Sequence, residues 1–382
     1  MTRVLIAGVS TRGLAESAAR AGYEVLAADG FGDLDLRARA RSVSVARSRG
    51  RFSIRAAVAV ARGLPADVVC YVGSFENHAR AVGALAAGRI LWGNRPAVLA
   101  AVRDPVRLAR ALRARGVPAP AVRITAPLRR TARGGRWLVK PRASGGGSGV
   151  APWHGGPLPR GSYLQQHVAG TPGSIVFAAD GRRVVPLGVS RALAGDPRFG
   201  TGRGGAGGFR YCGSILVPPE QPLFGHACRL AAAVTEAFEL VGVNGIDFVA
   251  RRGVPYAVEV NPRYCASMEL VERARGVSIF QVHARACAGE LPDFDPTEPG
   301  PPDLPGKAIV YAREDVVPEG TARWLEDDDV RDVPPPGEPI GRGHPICTVF
   351  ARGRTVAACH AALAARARTL YRSLEAHRLR MA

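Results

Sequence analysis

Lysine is almost missing from this chain. Of its 52 basic residues in 382, only Lys140 and Lys307 are lysine, so arginine serves wherever a generic positive charge suffices. A compact ammonium is the better point charge for a phosphate cluster, which marks those two positions as candidates for a role that arginine does not fill. Long apolar runs are missing too. No continuous stretch of about 18 apolar residues occurs, and the first strand-like stretch, Val4 to Gly8, is too short for a signal peptide. A cytoplasmic address and no membrane partner are the default expectations.

The seven cysteines (Cys70, Cys212, Cys228, Cys265, Cys287, Cys347, Cys359) show neither CxxC spacing nor a paired CxxC/HxxxH pattern. They read as small core residues rather than a structural zinc site. The dinucleotide pattern GxGxxG is not met: the turn GVSTRG after the first strand offers only Gly8 and Gly13, which argues against a nicotinamide enzyme with Asp29 as its ribose acid. A formal charge of +20 raises nucleic acid as a partner, yet the arginines are scattered through alanine- and glycine-rich sequence. With no aromatic-interleaved stripe and no recognisable binding module, a nucleic-acid partner is not expected.

What is present is enough apolar sequence, 47% of residues, to fill several cores. The opening VLIAG strand, the helix over 11–21 and the strand over 24–28 make a βαβ unit, hence a parallel, doubly wound sheet. A strand over 68–72, a helix over 76–87 and a short strand over 90–92 extend it. After an amphipathic helix from Asp104 to Gly116 the character changes to α+β. RWLVKP over 136–141 is a strand before a glycine-rich turn, and 162–167 is a second short strand. The stretches 174–178 and 184–189 alternate like antiparallel sheet. A helix over 226–241 feeds the hairpin GIDFVARRGVPYAVEVNPR, with strands at 246–250 and 255–260. Helices follow over 267–274 and 279–288. A proline-rich linker spans 292–305, then come strands near 308–312 and 347–351 and a final helix over 356–377.

Three pieces ask for one explanation. Lys140 stands on a strand ahead of Ser144, Gly145, Gly146, Gly147 and Ser148, and consecutive glycines let backbone N–H groups approach a phosphate closely. Glu259 and Asn261 lie two apart on a strand and so face one side, and Asp247 on the neighbouring strand reaches that side if the register allows. Acid, acid and amide oxygens on one face suit Mg²⁺, which bridges nucleotide phosphates and keeps few protein ligands. Together they predict a nucleotide and metal site.

With LVKPRASGGGSG, YLQQHVAG and IDFVARRGVPYAVEVNPR in order across 138–263, the sequence resembles the ATP-grasp superfamily, in the branch related to biotin carboxylase. A closer likeness is to ATP-dependent carboligases of one-carbon cofactor synthesis, tyramine–glutamate ligase of methanofuran assembly among them. The resemblance implies an α/β and α+β ATP-grasp fold in three parts. These are a Rossmann-like pre-ATP-grasp domain at 1–95, an ATP-grasp domain at 96–291 with a lid-like subdomain at 137–170, and a C-terminal module at 306–382. It implies ATP and Mg²⁺ or Mn²⁺ as cofactors, small-molecule carboxylate and amine substrates, and a homodimer. Lys140 would contact phosphates, with Gln165, Gln166, His167 and Val168 as the adenine hinge. Asp247, Glu259 and Asn261 would hold the metal, and Arg263 would face the acyl phosphate.

Departures from the family pattern are specific. Pro105 replaces a phosphate lysine, leaving Arg103 or Arg107 to stand in, and Gln166 replaces the usual hinge acid. Nothing resembles a biotin-carrier motif. Substrate candidates are Ser10, Arg12, Glu76 and Asn77, the last two equally readable as helix caps, with Arg210 and Tyr211 from the segment 204–213. His167 and His226 are near the motifs in sequence, but a lone histidine more often serves structure, and no general base is named.

Overall fold

A computed structural model describes residues 1–46, 52–125, 136–202, 208–298 and 300–381. The first sheet is fully parallel, with β1 (Arg3–Gly8), β2 (Glu24–Asp29), β3 (Arg41–Ser44), β4 (Val68–Tyr71) and β5 (Ile90–Leu91) in the order β3-β2-β1-β4-β5. β1 is buried on both faces. Leu5 and Ala7 join Ala57, Val58 and Val82 on one side, while Val4 and Ile6 join Leu14, Ala18 and the sequence-distant Phe280 on the other. Burial on both sides is why VLIAG carries no polar alternation.

A small antiparallel sheet follows: β6 (Val122–Arg123), β7 (Trp137–Pro141), β8 (Ala151–Pro152) and β9 (Ser162–Gln166), in the order β6-β9-β7-β8. The third sheet is the largest. It holds β10 (Thr171–Asp180), β11 (Val184–Ala194), β12 (Tyr211–Val217), β13 (Val241–Arg251), β14 (Val254–Asn261), β15 (Leu304–Tyr311), β16 (Val330–Arg331) and β17 (Pro345–Gly353). Along β10 the pleat sends Ile175, Phe177 and Ala179 into a core with the helix Leu223–Phe238. Val176 and Ala178 go to the opposite face, against Met268, Val271 and Ile279. The C-terminal strands are continuous with this sheet, because Ser214 of β12 pairs with Lys307 of β15.

Three expected elements differ. Val241 opens β13 instead of closing the preceding helix, which stops where Glu239 turns left-handed at φ 56°. The helix expected from Glu76 begins only at Ala79, after a short 3-10 turn over Phe75–Asn77. The linker ends two residues early, at the start of β15.

Two buried polar clamps tie the first sheet to the rest. Asn94, just after β5, accepts from Val241 N at 2.9 Å and donates to Asn244 Oδ1 at 2.8 Å and Pro262 O at 3.1 Å. Arg12, only 2% exposed, donates to Asp332 at 2.9 Å, to Glu16 at 3.2 Å and to both Glu269 oxygens. Lys307 reaches the same Glu269 at 2.6 Å. This corrects the reading of Arg12 as a substrate ligand: its donors are taken up by carboxylates of its own chain, and it joins three distant segments. Lys307 likewise serves this buried cluster and not a phosphate site. Asp29 is no ribose acid either. It is wholly buried and accepts from Thr11 N and Oγ1, Phe31 N and Gly32 N.

Removing one partner from a buried, hydrogen-bonded ion cluster typically costs about 3–5 kcal/mol. Arg12→Ala is therefore expected to lower stability by about that amount in denaturant unfolding, whereas Arg107→Ala, an exposed position, leaves the midpoint within about 0.5 kcal/mol.

Candidate nucleotide and metal site

The site forms where β7 and β9 of the small sheet face the β13–β14 hairpin. In that hairpin the register pairs Asp247 with Glu259 and Gly245 with Asn261, with an irregularity just past Asp247. All three predicted donors therefore share a face. Asn261 Nδ2 donates to Asp247 Oδ2 at 2.9 Å. Burial first, then the adjacent Glu259 carboxylate, push Asp247 up to about 6. Glu259 resists the upward push of burial because Arg103 and Lys140 hold it below the usual glutamate range.

The opposite wall carries Lys140. Its ammonium donates to Gln165 Oε1 at 3.1 Å and, across 118 residues of sequence, to Val258 O at 3.0 Å. Burial draws its pKa down, opposed by the carboxylates of Glu259 and Asp247. Arg103 completes the constellation. It donates to Glu259 Oε1 at 2.7 Å, to Asn77 Oδ1 at 2.6 Å and to the Ser144 carbonyl at 3.2 Å. Of the two arginines considered as stand-ins for the missing lysine, Arg103 is at the site, while Arg107 points to solvent.

Between these walls lies a narrow cleft with room for about 40 Å³. Lys140, Gln165, Arg103, Ser144 and Glu259 line its polar end, and Leu108, Leu112, Val122 and Ala257 its apolar end. The division into polar and apolar ends suits a small organic ligand. Pro105 lines the cleft as part of the apolar wall, which gives the departure at that position a packing role.

Other predicted residues fall around this core. Arg263 donates to Glu76 Oε1 at 2.7 Å and to Asn261 Oδ1 at 3.2 Å. Glu76 and Asn77 thus bind arginines of the site and do not cap the following helix, contrary to that expectation. Arg263 Nε and Glu76 Oε2 are buried with no hydrogen-bond partner among the described residues. In the hinge stretch, Gln165 turns its side chain to Lys140. The Gln166 and His167 amides donate to Ala121 O and Arg136 O, each at 2.8 Å. Gln166 Oε1 accepts from Ala121 N at 3.2 Å. Those three groups are used within the protein. His226 sits 2.9 Å from Gly253 O, at the hairpin's far turn.

The glycine turn is held by the segment that follows residues 203–207. Gly204, Ala206 and their neighbours in the predicted substrate loop lie outside the described residues. Tyr211 N donates to Gly146 O at 2.9 Å, and the Tyr211 hydroxyl is 2.9 Å from Ser214 Oγ. Arg210 stacks over the Tyr311 ring at 4.0 Å. Ser148 N donates to Gly145 O at 3.2 Å within the turn. Gly146 and Gly147 both have positive φ.

The donor chemistry fits a hard divalent cation: two carboxylates and an amide, one carboxylate strained by the other's charge. Among the described residues no group of three or more His, Cys, Asp or Glu is placed to hold a metal ion by itself. A cation here would therefore rely on ligand oxygens and water for its remaining positions, as Mg²⁺ does.

A Cβ on Gly147 would sit 1.8 Å from Phe209 O, at a φ of 73°. Gly147→Ala is accordingly expected to detach the turn from residues 209–211, read as faster amide exchange at 144–149 with an unchanged global unfolding midpoint. Unchanged exchange there would contradict this packing.

Comparison with known proteins agrees with the geometry. Residues 102–267 match the family model described as an ATP-grasp domain. An uncharacterized protein of Methanocaldococcus jannaschii is 31% identical over 119 residues, covering 31% of this chain and 28% of that protein. Matching thus spans little more than a quarter of that relative's length. Among solved structures, biotin carboxylase of Campylobacter jejuni aligns with a TM-score of 0.68 at 15% identity, over 92% of this chain and 87% of that one. L-amino acid ligase of Bacillus licheniformis aligns at 0.66 and 16% identity, over 98% and 97%. Both likenesses are of fold. Family match, parallel first sheet and the facing lysine and carboxylates agree: residues 102–267 of this chain are an ATP-grasp domain.

Proposed function

We propose that the chain is an ATP-dependent ligase that joins a carboxylate to an amine through an acyl phosphate. The observation that carries this reading is the meeting of Lys140 with Val258 and Glu259, which sets an ammonium against the carboxylate face of the hairpin. Phosphoryl transfer asks a protein mainly for positioning and charge neutralisation. Lys140 and Arg103 supply fixed positive charge, and the 145–149 turn supplies backbone donors. Asp247, Glu259 and Asn261 would hold Mg²⁺, which would neutralise charge on the nucleotide phosphates. Arg263, paired with buried Glu76 at 2.7 Å, would face the acyl phosphate.

The fold likeness to an L-amino acid ligase over nearly the full length supports amide formation. The likeness to biotin carboxylase supports a second reading, in which bicarbonate is the acid and carboxyphosphate the intermediate. A place in one-carbon cofactor assembly rests on the motif likeness alone. A non-catalytic nucleotide-binding role, raised by Pro105 and Gln166, is disfavoured because Arg103 fills the position of charge that Pro105 vacates.

Trapping with hydroxylamine tests the acyl phosphate. A panel of carboxylic acids with ATP and Mg²⁺ should include one that releases ADP and yields a hydroxamate, and bicarbonate-dependent ATP hydrolysis alone would select the second reading. Lys140→Ala and Glu259→Gln are each expected to reduce turnover at least about a hundredfold while leaving the circular dichroism spectrum unchanged. Wild-type turnover in either would remove the assignment. Arg103→Ala should weaken ATP binding by about tenfold or more in calorimetric titration, and Arg107→Ala should leave it within about twofold.

A further inference from the structure

The glycine turn 145–149 has two supports outside itself. At its start, the Ser144 carbonyl accepts from Arg103 at 3.2 Å and from Asn77 Nδ2 at 3.3 Å. At its middle, the Gly146 carbonyl accepts from Tyr211 N at 2.9 Å, and a Cβ on Gly147 would meet Phe209 O. The turn's own bonds, Ser148 N to Gly145 O at 3.2 Å and Val150 N to Gly147 O at 3.3 Å, lie at the long end of the usual range. Where the middle of the turn sits therefore depends on what holds residues 209–211.

On one side that segment is held by β11. Gly195 N donates to Arg210 O at 2.8 Å, and a Cβ on Gly195 would stand 2.4 Å from Gly208 O. On the other side the main-chain ladder gives out. β12 pairs with β15 at Ile215–Gly306, Ser214–Lys307 and Gly213–Ala308, and the pairing stops there, before Tyr211 is reached. A side chain takes over. Tyr311, the last residue of β15, donates its hydroxyl to Tyr211 O at 2.9 Å and carries the Arg210 guanidinium 4.0 Å over its ring. Tyr311 is buried, and its own carbonyl accepts from the Tyr371 hydroxyl of the final helix, Val356–Met381, at 2.8 Å. Hydrogen bonds thus run from Tyr371 through Tyr311 and Tyr211 to Gly146, joining the C-terminal helix to the turn.

We propose that Tyr311 is a positioning residue for the nucleotide site. By holding residues 210 and 211 it fixes the middle of the glycine turn beside the cleft, and so sets the affinity for the triphosphate. The inference rests on the ATP-dependent reading above and deepens it. Residues 102–267 make up the ATP-grasp domain, and Tyr311 and Tyr371 lie beyond them. The C-terminal part of the chain thereby has a share in nucleotide binding. Tyrosine suits the task, because a buried ring holds its hydroxyl in one place.

Tyr311→Phe keeps the ring and removes only the hydroxyl. In hydrogen exchange of the full chain, amides at 144–149 should exchange at least about threefold faster, with those of β1 unchanged. Calorimetric titration with ATP and Mg²⁺ should show affinity about fivefold weaker than wild type. A merely structural loss would lower the unfolding midpoint and leave both readouts where they were. Gly147→Ala supplies a second arm, since it separates the turn from residues 209–211 by another route. If Tyr311 acts through that contact, adding Tyr311→Phe to Gly147→Ala should weaken ATP binding by no more than about 1.5-fold further. Losses that multiply in the double variant would place the effect of Tyr311 elsewhere and overturn the proposal. Titration of the wild type separates the two readings. ATP binding that Tyr311→Phe leaves intact overturns only the positioning role, whereas absent ATP binding overturns the ligase reading and this role with it.

Discussion

Pairing of Asp247 with Glu259 across the β13–β14 hairpin is the constraint on which the site depends. Side chains alternate along a strand, so a slip of one residue would send Glu259 and Asn261 to the other face and separate them from Lys140. Apolar packing prevents that slip. Ile246, Phe248, Ala257 and Val260 join the core beneath the helix Leu223–Phe238, and any other register would bring polar groups into it. Burial, and then repulsion between two carboxylates held side by side, push Asp247 up to about 6. Arg103 and Lys140 offset part of that repulsion in the protein alone, and a bound cation would offset the rest.

Such a face is useful only if the walls around it keep their places. The first sheet is held by buried polar contacts with partners far apart in sequence: Asn94 with Val241 and Pro262, and Arg12 with Glu269 and Asp332. Apolar contact alone is tolerant of sliding, whereas a buried guanidinium with its donors matched to oxygens has one low-energy arrangement. The same clamps bring β15 and β17 against the ends of β1 and β2.

The parts that were legible in the sequence carried local signals. Lys140 stood out because the chain uses arginine almost everywhere else, and Glu259 with Asn261 because strand spacing alone puts them on one side. The β1 unit was plain from an apolar run between turns. Arg103 and Arg12 gave no comparable signal, being two arginines among many, and their roles come from partners 156 and 257 residues away. The misplaced helix end at Val241 has a local cause. Glu239 makes the left-handed stop that glycine usually signals, and the apolar pattern runs on into β13.

The central claim is that the hairpin carboxylates and Lys140 enclose one metal-bound triphosphate. Anomalous diffraction from crystals grown with Mn²⁺ and a non-hydrolysable ATP analogue tests it most directly. The account predicts a manganese peak within coordinating distance of Asp247, Glu259 and Asn261, with the analogue's phosphates toward Lys140. Manganese bound elsewhere, or an analogue seated away from the cleft lined by Lys140 and Glu259, would contradict it.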